Sequence, residues 1–287
     1  MTEPETPVTV VVDDVHVTYR VPSDEAHEVT GRAHGLRRIL GQARGHSGHA
    51  TVPALQGISI VAHEGESIGI VGRNGSGKST LLRTIAGLTV PTRGRVLADG
   101  TPILLGVSAA LMPNLSGKRN VILGGLAMGL TRDEVDARYD DVVELAGIGP
   151  AIHRPMRTYS SGMSARLSFA IATAARPHVL LVDEALNTGD AEFRDRSQDR
   201  MEELQSSAGT VFLVSHSLTT VTRTCQRALW IDSGRLRVDG PAEPVVQAYR
   251  EYFNLSRAEQ QAGRPKPPPP WEEGSPIAMP AGAEVTV

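Results

Sequence analysis

One octapeptide constrains this chain more than any other feature: Gly72-Arg73-Asn74-Gly75-Ser76-Gly77-Lys78-Ser79. Ahead of it, Ser67-Ile68-Gly69-Ile70-Val71 is an apolar stretch that reads as a buried strand. Behind it, Ser79 to Leu88 reads as a helix with Gly87 near its C-terminal end. Strand, glycine loop with the spacing G-x-x-x-x-G-K-[ST], and helix together make a P-loop. Its chemistry follows from geometry. A triphosphate needs many donors in a small space, and side chains would block its approach. Gly72, Gly75 and Gly77 let backbone N–H groups of the loop, which also holds Asn74 and Ser76, close around phosphates at a helix N-terminus. Lys78 brings a positive charge to the β- and γ-oxygens, and the Ser79 hydroxyl is a ligand for Mg²⁺.

Composition narrows the class. A chain of 287 residues has room for one large domain or two small ones, and 40% hydrophobic with 21% charged residues is ordinary for a globular protein. A net charge of −3 argues against nucleic-acid binding through a broad basic surface. Cys225 stands alone, so no disulfide forms within the chain; a small half-buried residue in a reducing cytosol is the expectation. No run of 18 apolar residues occurs, and Met1-Thr2-Glu3-Pro4-Glu5 lacks a signal-peptide core. The expectation is a chain that does not cross a membrane by itself and needs a partner subunit for any membrane task.

Elsewhere the pattern alternates strands and helices. Thr9–Val12 and Val15–Tyr19 read as a strand pair or one bent strand, and Ile58–Val61 as another strand. Residues 22–50 between them lose periodicity; within them Leu36, Ile39 and Leu40 lie beside Arg37 and Arg38 in a short basic amphipathic helix, Gly35–Leu40. That helix fits a membrane interface or its own domain surface equally well. Gly94–Gly100 looks like a strand closed by a turn. Thr131-Arg132-Asp133-Glu134 is a capping box opening a helix that Gly147 ends. Val179–Val182 and Val211–Val214 are continuous apolar runs, as in a parallel sheet covered on both faces. Asp232-Ser233-Gly234-Arg235 joins two strands as a hairpin. A last helix covers Val245–Tyr252, and from about Ser256 a polar, proline-rich segment reads as an extended or disordered tail. The fold expected is α/β, a P-loop NTPase (RecA-like) core with an N-terminal β subdomain and an inserted helical subdomain at about 106–160, over residues 1–255; 256–287 is the tail.

Val179–Val182 runs straight into Asp183-Glu184. Acids at the end of a buried strand beside a P-loop make a Walker B site, Asp183 orienting Mg²⁺ through a water and Glu184 polarising the attacking water. His216 closes the Val211–Val214 strand, a place from which a histidine reaches a γ-phosphate, although a strand-end histidine is more often structural. Tyr159-Ser160-Ser161-Gly162-Met163 puts two serines and a glycine at a helix N-terminus, again a phosphate-binding surface.

In this order, P-loop, helical insertion, S-S-G-M, hydrophobic-D-E and strand-end His, the chain resembles the ATP-binding-cassette (ABC) ATPases over about residues 8–250, with Tyr159–Met163 where that family carries L-S-G-G-Q. The resemblance implies that Gly72, Gly75, Gly77, Lys78, Ser79 and Thr80 bind the phosphates and Mg²⁺ of ATP. It implies that Ser160, Ser161 and Gly162 of a second copy cap the γ-phosphate. Glu184 is then the general base, His216 the switch histidine, and Asp190, in Leu186-Asn187-Thr188-Gly189-Asp190, the D-loop aspartate. Tyr19 matches the aromatic that stacks on adenine; a strand tyrosine is also commonly just packed. One departure stands out: no Gln or Glu lies between Gly87 and Asn120, where the family has its metal-sensing glutamine, and the equivalent region is Leu104-Leu105-Gly106-Val107-Ser108.

Within the family, the 22–50 insertion, Leu115-Ser116-Gly117-Lys118-Arg119-Asn120, and Tyr159–Met163 together with Asn187–Asp190 look like the subgroup exporting lipid-linked polysaccharides such as O-antigen, teichoic acid or galactan. An integral membrane permease and a second copy of the chain are then the partners, at the cytoplasmic face of the membrane. Residues 256–287 are too few for the carbohydrate-binding β-sandwich some members carry. The alternatives are a cassette ATPase with another cargo, such as a drug or metal complex, and a soluble cassette protein.

Overall fold

The computed structural model describes residues 6–22, 49–105, 111–175, 177–183, 193, 200, 203–204, 208–215, 217–261, 267–272, 275, 277–278, 280 and 282–285. The basic helix expected at 35–40 lies outside them. Two sheets organise the rest. Strands β1 (Val8–Pro22), β2 (His49–His63) and β4 (Arg93–Ala98) form an antiparallel sheet in the order β2-β1-β4. β1 is one bent strand: its register with β2 slips between Val12 and Val15, where Asp14 adopts φ 45°. A bulge of this kind bends a strand and raises its twist.

The larger sheet has seven strands among the described residues, in the order β10 (Glu284–Val285), β9, β8, β3, β7, β6, β5. β3 (Ser67–Val71), β5 (Ile103–Leu105), β6 (Val179–Asp183), β7 (Thr210–Val214) and β8 (Arg227–Asp232) are parallel, and β9 (Arg235–Pro241) returns antiparallel from β8. Alternation along each strand splits the core in two. Val179, Leu181, Phe212, Val214, Leu229 and Ile231 face α1 (Lys78–Ile85) and the inner face of the antiparallel sheet. Leu180, Val182, Val211, Leu213, Ala228 and Trp230 face the opposite layer, which includes Val221 of α5 (Leu218–Thr224) and Val245, Val246 and Tyr252 of α6 (Ala242–Gln261). Both faces are covered, which is why these strands are apolar throughout. Cys225 is buried in that second core, deeper than its expected half-exposure, and burial pushes its thiol pKa up.

Polar contacts tie the two sheets. The Thr9 and Thr210 hydroxyls meet at 2.6 Å, and Thr210 also donates to the His63 carbonyl. Arg227 forks onto Asp239 at 2.6 and 2.7 Å and reaches Glu66 and the Val61 carbonyl, so one guanidinium binds β8, β9, β2 and the turn before β3. Its pKa is raised, chiefly by the hydrogen-bonded Asp239.

The helical insertion has its own core, built from Val121 of α2 (Gly117–Ala127), Val142 and Ala146 of α3 (Arg132–Ala146), and Leu167, Ala170 and Ile171 of α4 (Ser161–Ala172). The capping box forms as expected: Thr131 accepts from the Glu134 amide and Glu134 from the Thr131 amide, while Gly147 closes α3 at φ 58°. Those hydrogen bonds hold the Glu134 carboxyl below its ordinary pKa. Among the described residues no helix is long and apolar enough to cross a membrane.

The C-terminal part departs most from expectation. α6 continues to Gln261, and the described residues after it form turns, with Glu272 bonded to Pro269 and Ala283 to Pro280, packed on the domain. Trp271 stands edge-on to Trp230 at 4.8 Å under the Arg237 guanidinium, Ile277 is buried, and β10 (Glu284–Val285) pairs antiparallel with β9. The edge of β9 is thereby covered at Val238 and Asp239. Trp271→Ala should therefore cost about 2 kcal/mol of unfolding free energy, measured by urea denaturation; a detached tail would leave the midpoint unchanged.

Candidate nucleotide site

β3 delivers the glycine loop at the carboxyl edge of the parallel sheet. Loop geometry rests on close backbone approach. A Cβ on Gly72 would run into the Ile231 carbonyl, and one on Gly77 would come 2.7 Å from the Ala54 carbonyl. Gly75 and Gly77 hold φ of 79° and 108°, a region L side chains avoid. The β8–β9 turn locks the loop from behind. Ser233 and Gly234 both take positive φ, 51° and 77°, as a two-residue hairpin turn requires. Gly234 donates to the Ser76 carbonyl and accepts from the Gln56 amide, both bonds 2.8–2.9 Å long.

Lys78 is buried, and its Nζ donates to the carbonyls of Gly72 at 2.8 Å and Arg73 at 2.9 Å. The ammonium is thus held over the mouth of the loop, in the place where it meets phosphate oxygens. Gly77 is the N-cap of α1 and makes no side-chain cap, so first-turn N–H groups point out of the helix. Ser79 is exposed on that turn and Thr80 half-buried beside it. Ser76 Oγ is buried and without a hydrogen-bond partner. An uncapped helix start, an orphaned hydroxyl and a desolvated ammonium at one loop are suited to a polyphosphate.

Asp183 is brought to the same edge. Val214 on β7 pairs with Ile70 on β3 on one side and with Asp183 on β6 on the other. Asp183 therefore stands two strand spacings, about 4.8 Å each, from the strand that feeds the loop. The Ser79 hydroxyl and the Asp183 carboxylate are oxygen donors of the kind a hard cation such as Mg²⁺ takes. Glu184, Asp190 and His216 lie outside the described residues, as do Gly106–Ser108; Leu104 and Leu105 are buried in β5.

The serine–glycine segment is not part of this cluster. Ser160 is the N-cap of α4 and accepts from the Met163 amide at 3.2 Å. Ser160 and Ser161 are exposed and Gly162 is half-buried, and among the described residues no hydrogen bond joins them to 72–80. Tyr159 is structural: its hydroxyl donates to the Ala151 carbonyl at 2.6 Å, and burial raises its pKa. Tyr19 is 41% exposed. It pairs with Val52, two residues along β2 from Ala54 at the loop.

Two supports escaped the sequence reading. Asn120, seen there only as part of a short motif, is fully buried and binds the Met112 amide and the carbonyls of Met112, Leu115 and Ser116. An asparagine next to Val121 on a helix face is the signal that points to it. Arg138 and Arg200 cap the far end of α4 on the carbonyls of Ala174 and Thr173; no local pattern marks them.

Comparison with known proteins agrees with this geometry. The family model described as ABC transporter matches residues 55–187. The chain is 38% identical over 263 residues to an O-antigen export system ATP-binding protein of Myxococcus xanthus, covering 91% of this chain and 60% of that one. It is 38% identical to a teichoic acids export ATP-binding protein of Staphylococcus haemolyticus, covering 74% of this chain and 81% of that one. A Lactococcus lactis protein with the same description is 39% identical over 72% of this chain but 46% of its own length, so this chain spans only part of several relatives. Among solved structures, a dimeric ATP-binding cassette bound to ADP and phosphate superposes with a TM-score of 0.59 at 20% identity, over 82% of this chain and 99% of that one. The ATP-binding subunit of an ABC transporter gives 0.60 at 20% identity, over 85% and 93%. These likenesses fix the fold as an ATP-binding cassette.

Lys78→Ala removes a charged donor worth about 1.5–3 kcal/mol to a phosphate. Nucleotide affinity should fall roughly tenfold to a hundredfold in a calorimetric titration with ATP. Unchanged affinity would move the site away from this loop.

Proposed function

This chain belongs to the ABC transporter family, and we propose that it is the ATP-hydrolysing subunit of an exporter that carries a lipid-linked polysaccharide across the cytoplasmic membrane. The observation that carries the ATPase reading is the loop itself: Lys78 poised over an uncapped helix start, with Asp183 at the same sheet edge. The export reading is supported by the O-antigen and teichoic acid exporters among its relatives.

Each half of the chemistry sits on a different surface. The loop binds the triphosphate of ATP, with backbone N–H groups of 74–80 and Lys78 on its oxygens and Tyr19 against adenine. Ser79 and Asp183 would hold Mg²⁺, which would supply charge neutralisation for the phosphates. Ser160 and Ser161 are exposed and Gly162 half-buried at the start of α4, and among the described residues no hydrogen bond joins them to their own loop. They complete the site of a second copy, so two chains enclose two ATP molecules, with Asp190 at the seam. Glu184 accepts the proton of the attacking water and His216 donates to the γ-phosphate. Closure then draws the helical insertion with it and transmits the movement to an integral membrane permease at the cytoplasmic face.

Two experiments test this. Glu184→Gln should bind ATP and accumulate as a dimer on size-exclusion chromatography, with hydrolysis reduced by about a hundredfold or more; hydrolysis at the wild-type rate would remove Glu184 as the base. Deleting the gene in its host should leave lipid-linked glycan on the cytoplasmic side, restored to the surface by wild type but not by Glu184→Gln. Normal glycan display in the deletion strain would refute the export reading while leaving the ATPase reading intact.

A further inference from the structure

A cavity of about 420 Å³ lies behind the P-loop, between it and α6. Its wall is aromatic. Trp230 is buried with Tyr249 edge-on at 5.1 Å and Tyr252 tilted at 5.6 Å, and Phe253 stacks on Tyr249 at 23° on the exposed rim. Arg73 and Arg257 also line it, and neither has an ion-pair partner among the described residues. Asp232 lines it too, and so does Ser256, whose buried Oγ has no hydrogen-bond partner. None of Asn74–Thr80 reaches this cavity, nor does Tyr19, so it is separate from the phosphate cradle.

These groups specify a ligand class. Cavities of this size with an aromatic wall and a few polar groups are typical small-molecule sites. Aromatic faces favour a planar ring, by offset or edge contact. Two unpaired guanidiniums against one carboxylate leave net positive charge, and guanidinium forks match phosphate oxygens. A buried hydroxyl without a partner is costly unless something binds it, and Ser256 lies in the cavity lining. Burial raises the Tyr249 pKa, and the nearby Arg73 and Asp232 charges pull it down and up respectively.

We propose that this cavity binds an aromatic phosphate ester, of the class that includes mononucleotides, its ring against Trp230 and Tyr249 and its phosphate between Arg73 and Arg257. Occupancy is linked to the nucleotide cradle. The Arg73 carbonyl holds the Lys78 ammonium at 2.9 Å, so drawing the Arg73 side chain into the cavity changes the hold on the lysine that ATP must engage. By linkage each ligand changes the affinity for the other by the same factor.

The chain has two tryptophans, so Trp271→Phe leaves Trp230, in the cavity wall, as the fluorescent reporter. In Trp271→Phe/Lys78→Ala protein, with the cradle disabled, phenyl phosphate should change Trp230 emission saturably with a Kd of about 1 mM or tighter. Adding Arg257→Gln should weaken binding roughly tenfold, the loss of one charged fork; Arg257 is exposed, so an unchanged thermal midpoint confirms folding. Absence of a saturable change, a response indifferent to Arg257→Gln, or equal binding of inorganic phosphate or phenol alone would overturn the site. In Trp271→Phe protein with Lys78 intact, phenyl phosphate should shift ATP affinity about threefold or more, and the shift should vanish with Arg257→Gln. A constant ATP affinity, or a shift that persists in Arg257→Gln, would overturn the linkage.

Discussion

Backbone pressed directly against backbone at Gly72, Gly77 and Gly234 is the contact on which the rest of this structure depends. Gly72 lies under the Ile231 carbonyl, while Gly77 and Gly234 both crowd the Ala54 carbonyl. The phosphate loop, the β8–β9 turn and β2 of the other sheet therefore meet in close backbone contact, with Ser76 and Leu55 packed alongside. The Gly234–Ser76 and Gln56–Gly234 hydrogen bonds make that meeting specific. A methyl group at any of the three would push a sheet away from the loop. The loop is rigid because two sheets hold it, and the sheets keep their relation because they share it. Lys78 completes the arrangement from inside by bonding two of the loop's own carbonyls, which keeps a buried ammonium satisfied and aimed.

This explains what was readable in the sequence. The P-loop, the capping box at Thr131–Glu134 and the Asp232–Arg235 hairpin are local: each is set by residues a few positions apart. The buried parallel strands are legible because both of their faces meet helices or sheet, which makes them apolar without alternation. The tail was not legible, because its packing hangs on Trp271 and Ile277 set far apart among prolines and polar residues, with no periodicity to announce a surface. α6 ran past its expected end because nothing before Gly263 breaks a helix there. The capping of α4 was invisible for a different reason: Arg138 lies 36 residues from the carbonyl it serves, and Arg200 lies 27 from its own. Long-range side-chain-to-carbonyl bonds leave no trace in a pattern of spacing.

Those two arginines bear on how the site works. The last carbonyls of a helix lack intrahelical partners and carry partial negative charge, so guanidiniums there satisfy and orient it. One comes from α3 of the insertion, and the other, Arg200, from the chain beyond β6. α4 is consequently anchored at its base to both subdomains, while Ser160 caps its free end in solvent. Its twelve residues make a rod of about 18 Å. Both guanidiniums sit at one end of that rod, and Ser160 to Gly162 stand at the other. The serine–glycine end is therefore held in place by a helix whose opposite end is bonded to the insertion through Arg138 and to the core side through Arg200.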